Sequence, residues 1–240
     1  MLNEVVGVKK AVIIFSIDDG RADLYRLAKE ILIPQNMPAT FNITTDSGFS
    51  VKTSSITREE LADISKCDLF EIANHSDMHT NKFDDIYKGF LTLCDWLGFD
   101  KTSPIGFASP NSEMSLEYIE DNIEKLNKVG VKYVRTSRED YFNKDTNSIA
   151  LTSYPVKFDT TLKALKEKAD IAVENGYCLI YLFHSVCKSE DKNYGETWSY
   201  DFDKFLDLVM YIKELQNQGK ADIMTTMEYV DLKLKKSKTE

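Results

Sequence analysis

Apolar runs of strand length alternate with helical periodicities along almost the whole chain, and this alternation restricts the fold more than any other feature. Val12 to Ile17 reads as a strand buried on both faces, a helical stretch follows over about 22–33, and Pro34 and Pro38 punctuate the turn into a second strand, Ala39 to Thr44. Thr57 with Glu60 has the form of a capping box opening a helix to about Lys66, and Leu69 to Ala73 is a third strand ending at Asn74 and His75. A helix over about 83–97 leads to the strand Ile105 to Ala108. Ser115 opens a stripe closed by Gly130, and Lys132 to Arg135 is the fifth strand. Ile149 to Val156 is a weaker, partly polar strand. A helix over 160–174, the strand Tyr177 to Phe183, a helix over 202–216, the strand Asp222 to Thr225 and a helix over 227–235 complete the pattern. Seven or eight βα repeats without a linker predict one α/β domain over residues 1–240, a closed or nearly closed TIM-barrel-like barrel. No Gly-x-Gly-x-x-Gly or Walker A pattern follows the first strand, so a nucleotide fold lacks its usual support.

Composition narrows the function classes. No run approaches membrane-spanning length, and a net charge of -9 argues against nucleic acid as a partner. Cys67, Cys94, Cys178 and Cys187 are scattered without a Cys-x-x-Cys, which suggests neither a thiolate zinc site nor a redox pair. The first ten residues lack a signal-peptide core, so a cytoplasmic location is the expectation.

The chemistry is concentrated at one end of the predicted barrel. Asp18, Asp19 and Gly20 sit where the first strand stops, and two adjacent carboxylates at the mouth of a buried strand call for a cation, a shared proton or a hydrogen-bond network. The three histidines, His75, His79 and His184, all fall at or just past the C-terminal ends of predicted strands, the edge where such barrels place their active sites. His75 and His79 are four apart, so one tight loop can aim both at a point. With one carboxylate they make the two-histidine, one-carboxylate set of a catalytic metal, while the neighbouring carboxylate stays free as a general base.

Ser-Ile-Asp-Asp-Gly at 16–20, His-Ser-Asp-Met-His at 75–79 and Leu-Phe-His at 182–184 resemble the first, second and last motifs of the polysaccharide deacetylases, the carbohydrate esterase family 4 or NodB-homology group. The resemblance covers nearly the whole chain in the right order. It implies a distorted (β/α)7 barrel, Asp18 as general base, Asp19, His75 and His79 as ligands of one divalent metal, His184 as general acid and Leu182 in the acetyl pocket. Zinc is the expected metal, and cobalt, nickel or iron suit the same ligands.

The middle motifs depart from the pattern. Where the family has Arg-x-Pro-Tyr this chain reads Ala108-Ser109-Pro110-Asn111, so the base-orienting arginine is missing, although Asn111 still offers a backbone N–H to an oxyanion. The fourth motif is replaced by Tyr133-Val134-Arg135-Thr136, and Arg135 is expected to pair with Asp18 in place of the absent arginine. Glu139 and Asp140 lie near the position from which His184 would be oriented, with solvated loop charges as the simpler reading. Trp198 suits either stacking on a sugar ring or packing. Ser76 is expected to fix the histidine loop, Asp77 to be a solvent-facing charge or a ligand's partner, and Thr225 with Glu228 to start a helix. The function implied is removal of an N-acetyl group from an amino sugar. O-acetyl or other small-amide hydrolysis is the nearest alternative, and a catalytically silent glycan-binding barrel the alternative from another class. The expected partner is an acetylated carbohydrate.

Overall fold

The structure is a computed structural model that describes residues 10–45, 55–138, 140–144 and 149–236. Its strands are β1 Ala11–Ile17, β2 Ala39–Ile43, β3 Phe70–Asn74, β4 Ile105–Ala108, β5 Val131–Arg135, β6 Phe142–Asn143, β7 Ala150–Leu151, β8 Tyr154–Pro155, β9 Cys178–Phe183, β10 Ser185–Cys187, β11 Ser199–Asp201 and β12 Ala221–Ile223. The helices are α1 Asp23–Leu27, α2 Arg58–Ile64, α3 Phe83–Leu97, α4 Leu116–Asp121, α5 Ile123–Lys128, α6 Leu162–Asn175, α7 Phe202–Asn217 and α8 Thr226–Lys236.

The main sheet runs in the order β6-β9-β1-β2-β3-β4-β5-β7, and β8 pairs with β9. Because β7 bonds to β5 and β8 to β9, the single segment 150–155 bridges the two sides and completes a seven-stave α/β barrel. That stave explains the distortion. Buried Thr152 and Ser153 interrupt its apolar run, and side chains replace part of the ladder: the Asn143 carboxamide brackets the backbone N–H and C=O of Thr152, and Ser153 Oγ donates to the Thr136 carbonyl.

Parity along β1 divides two cores. Ile13, Phe15 and Ile17 face outward against Leu24, Leu165 and Phe205 of the surrounding helices. Ile14 faces inward, where it packs with Tyr133, Leu151 and Ile180 and with Tyr229 and Val230 of α8, which plugs the barrel. Thr225 and Glu228 form the reciprocal cap at the start of α8, and Thr57 with Glu60 does the same for α2. Two helices are less regular than the sequence predicts. The first continues beyond α1 as a wider turn, Ala28–Leu32, in which Ile33 N–H reaches the Ala28 carbonyl. The stripe after Ser115 is broken at Asn122, whose carboxamide donates to the Tyr118 carbonyl in competition with the helix ladder.

Helix α3 seats the loop that carries the two adjacent histidines. Asn74 Oδ1 accepts from Ser76 N–H, its amide donates to the Ile86 carbonyl, and Asp85 accepts from the Met78 and Thr80 N–H groups. The helix approaches so closely because residue 89 is glycine: a Cβ there would stand 2.5 Å from Asn74 Oδ1 and 2.7 Å from the Ser76 carbonyl carbon. Gly89→Ala is therefore expected to destabilise the protein by about 1–3 kcal/mol, the usual cost of overpacking, despite the better helix propensity of alanine. Urea unfolding measures the loss, and unchanged stability would show that the loop yields freely.

Candidate active site

The two carboxylates that end β1 point in different directions because Asp19 and Gly20 both have left-handed backbone, φ 75° and 68°. Asp18 turns into the barrel and Asp19 toward the histidine loop. Asp18, 2% exposed, receives Arg135 Nη2 on Oδ1, and Asn42 Nδ2 donates to the same oxygen at 2.8 Å while also reaching Ser16 Oγ at 2.8 Å. The Arg135 side chain comes from the end of β5 and is only 1% exposed. The structure thus brings together the pair expected from the altered third and fourth motifs.

Asp19 is held from the other side. Arg21 Nε and Nη2 both stand 2.9 Å from its Oδ2. Its Oδ1 faces His75 Nε2 at 3.5 Å and His79 Nε2 at 3.6 Å. His75 Nδ1 lies 2.8 Å from the Ala108 carbonyl, so donation from Nδ1 leaves Nε2 turned toward Asp19. Asp18 Oδ2 is 3.8 Å from the same Nε2.

The electrostatics reflect this packing. Burial would raise the Asp18 carboxyl, but Arg135, His75 and His184 outweigh it and hold the group below its ordinary value. Burial acts on Asp19 in the same sense and is outweighed by His75, His184 and Arg21, so that carboxyl is also lowered. For His75 the burial that would lower it is overcome by Asp18 and Asp19, which hold it above its ordinary value. His79 is pushed down to about 4, by burial first and then by His75, and His184 is lowered, again mainly by burial.

A divalent cation fits this arrangement. The ligand atoms of Asp19, His75 and His79 lie within 4.8 Å of one another. Asp19 Oδ1 is buried and has no hydrogen-bond partner among the described residues, a costly state that a cation relieves. One carboxylate oxygen and two imidazole nitrogens, with open positions, are the donor set of catalytic zinc.

Asp18, Asp19, His75, His79, Asn111, Leu182, His184 and Trp198 line one cavity of about 530 Å³, with Arg135 beneath it, reached through Asp18. Asn111 stands in a short turn, Pro110–Ser112, with left-handed φ 53°. The ring of His184 rests on that of Trp198 with centroids 4.7 Å apart, and His184 Nδ1 is buried without a partner among the described residues. Of the two acids near its expected orienting position, Glu139 lies outside the described residues, and Asp140 pairs with Lys144 at 2.8 Å. Ser76 Oγ fixes the loop by accepting from Thr80 N–H. Asp77 is buried rather than solvent-facing, and it takes Thr45 Oγ1 at 2.7 Å and Lys88 Nζ.

Sequence reasoning missed Arg21 and Asn42. Arg21 directly follows the Asp-Asp-Gly turn and carried no periodic signal. Asn42 could have been found: Thr40 and Asn42 interrupt Ala39, Phe41 and Ile43 at alternate positions, the pattern of a strand with one polar face.

No family model matches the sequence, and no curated protein matches it. Solved structures do. A family 4 acetyl xylan esterase from Clostridium thermocellum in complex with a cobalt ion is 20% identical, with 92% of this chain and 91% of that chain covered and a TM-score of 0.52. The catalytic domain of a peptidoglycan N-acetylglucosamine deacetylase from Eubacterium rectale is 16% identical over 92% of this chain and 90% of that chain, with a TM-score of 0.54. A family pseudoenzyme from Bacillus anthracis is 12% identical over 93% of this chain and 66% of its own, with a TM-score of 0.54. At these identities the likeness speaks for the fold, and the fold of this chain is the NodB-type barrel of the polysaccharide deacetylases, carbohydrate esterase family 4.

Proposed function

We propose that the protein is a metal-dependent deacetylase that hydrolyses an N-acetyl group on an amino sugar of a glycan or glycan precursor. The observation that carries this reading is the division between two adjacent carboxylates: Asp19 turns an unpaired oxygen toward two imidazoles, while Asp18 is held by Arg135 and Asn42 without being needed as a ligand. A divalent ion held by Asp19, His75 and His79 supplies Lewis-acid polarisation of the acetyl carbonyl and of water. Zinc is proposed, with cobalt, nickel or iron compatible with the same donors.

The remaining steps belong to the chain's own residues. Oδ1 of Asp18 is engaged by Arg135 and Asn42, so Oδ2 is the oxygen that takes the proton from the attacking water. Leu182 borders the acetyl methyl, and the Asn111 backbone N–H offers a donor to the oxyanion. An amide nitrogen must be protonated before its C–N bond breaks, and His184 in the same cavity is the group to do it. Trp198, 39% exposed, steadies that imidazole and gives the cavity an aromatic surface for a sugar ring. O-acetyl hydrolysis would use the same groups, and the neighbouring folds include an esterase as well as an N-acetylglucosamine deacetylase.

Two observations favour a silent binding barrel instead. His184 Nδ1 lacks a partner among the described residues, and one neighbour with this fold is a pseudoenzyme. Binding alone, however, requires no buried base clamped by an arginine. Asp18→Asn separates the readings. Acetate release from N-acetylglucosamine oligomers is expected to fall by about 10²–10⁴-fold, the range of a general base, with metal content unchanged, whereas Asp19→Ala loses metal and activity together. Oligomer binding without acetate release by the metal-loaded wild type would establish the binder.

Arg135→Ala takes the guanidinium away from the buried Asp18 and leaves Asn42 as its side-chain donor. A loss of about 3–5 kcal/mol in unfolding free energy is expected, together with a lower rate, since one partner of a buried pair is removed. Arg135→Lys restores the charge on a different side-chain geometry and is expected to recover part of both. Denaturant melts and acetate release measure the series, and full activity in Arg135→Ala would exclude the pairing from the mechanism.

A further inference from the structure

We infer that the rim of the cavity, at Lys157 and Trp198, is a subsite for an anionic group, so that the acetylated substrate carries a carboxylate or a phosphate; this rests on reading the cavity as a deacetylase site. Among the described residues that line the cavity the carboxylates are Asp18 and Asp19, and each faces a guanidinium of the protein, Arg135 and Arg21 respectively. A divalent ion on Asp19, His75 and His79 therefore adds positive charge that no further carboxylate of the described lining offsets. Lys157 adds one more. The cavity is then strongly positive in a chain whose net charge is -9, the reverse of the molecule as a whole, and low-dielectric walls focus such a field on an entering ligand.

Some surface lysines stand in ion pairs, Lys188 with Glu30, Lys132 with Asp231 and Lys144 with Asp140, and others, Lys166 and Lys168, lie over aromatic rings away from the cavity. Lys157 has no carboxylate within ion-pair distance among the described residues; its Nζ lies over the Trp198 ring, 5.3 Å from the centroid. Trp198 in turn touches His184, the proposed acid. A sugar that meets this indole while its acetamide sits by His184 brings its substituents to the ammonium. A neutral sugar leaves that charge unanswered, and an anionic one gains a charge-assisted hydrogen bond.

The test uses the zinc-loaded full chain and three probes: N-acetylglucosamine, N-acetylglucosamine 6-phosphate and N-acetylmuramic acid. At least one anionic probe is expected to exceed the neutral one in kcat/KM by roughly ten- to a hundredfold, the factor a hydrogen bond to a charged group carries. Which probe responds identifies the anion. The ratio is expected to collapse in Lys157→Gln but not in Lys163→Gln, the same charge change at a lysine 86% exposed on α6. A neutral probe that is the equal of both anions, or a ratio that survives Lys157→Gln, overturns the inference. If none of the three is hydrolysed, tryptophan fluorescence titration decides. Tighter binding of an anion that is lost in Lys157→Gln upholds the subsite while the deacetylase reading fails. Equal or absent binding of all three overturns the subsite as well.

Discussion

Everything at the mouth of this barrel depends on two neighbouring carboxylates being turned apart. A non-glycine residue in the left-handed region costs roughly 1 kcal/mol, and Asp19 occupies it at φ 75° with Gly20 continuing the turn at φ 68°. The backbone twist gives Asp18 to the barrel interior and Asp19 to the histidine loop. Without it the two charges would share one environment, and one of them would have to carry a proton. With it each has its own guanidinium, Arg135 for Asp18 and Arg21 for Asp19. Asp19 turns a buried Oδ1, without a hydrogen-bond partner among the described residues, toward the two imidazoles, while Asp18 keeps its Oδ2 clear of Arg135 and Asn42.

The fold makes this division rigid. Strands β1, β2 and β5 send Ser16, Asn42 and Arg135 inward at one level, so Asp18 is fixed by three staves rather than by a loop. The histidine loop is fastened differently, through Asn74, Asp85 and the close approach of α3 at Gly89. Below the site, Tyr133 Oη donates to Glu71 at 2.6 Å, and the other oxygen of Glu71 accepts from Thr40 and from the Met227 N–H of α8. The plug helix is thereby tied to the staves that carry Asn42 and Arg135, which links barrel packing to the geometry around Asp18.

Much of this was legible in the sequence, for identifiable reasons. The strands that carry the site are strongly apolar and stop at polar residues, so β1, β3, β4, β5 and β9 could be read within a residue or two. Asp18, Asp19, His75, His79 and His184 stand out because rare residue types fall at strand ends with a spacing suited to a metal, and all five line one cavity. The contact between Arg135 and Asp18 could be inferred from a gap, since a buried base needs a counter-charge and the usual arginine is absent. Long-range partners without a pattern were harder. Arg21 binds Asp19 from two positions away through a turn, and Asp77 meets Thr45 and Lys88 through tertiary packing alone. The stave at 150–155 reads in sequence as part of one weak strand, whereas Thr152 and Ser153 divide it between two neighbours.

The central claim is that one carboxylate holds the metal while its neighbour does not. Anomalous diffraction at the zinc edge, from crystals of the zinc-loaded protein, tests it most directly. The account predicts a single peak bonded to Asp19 Oδ1, His75 Nε2 and His79 Nε2, with Asp18 outside bonding distance and still on Arg135. A peak bridged by both carboxylates, or no peak in the cavity, would contradict it.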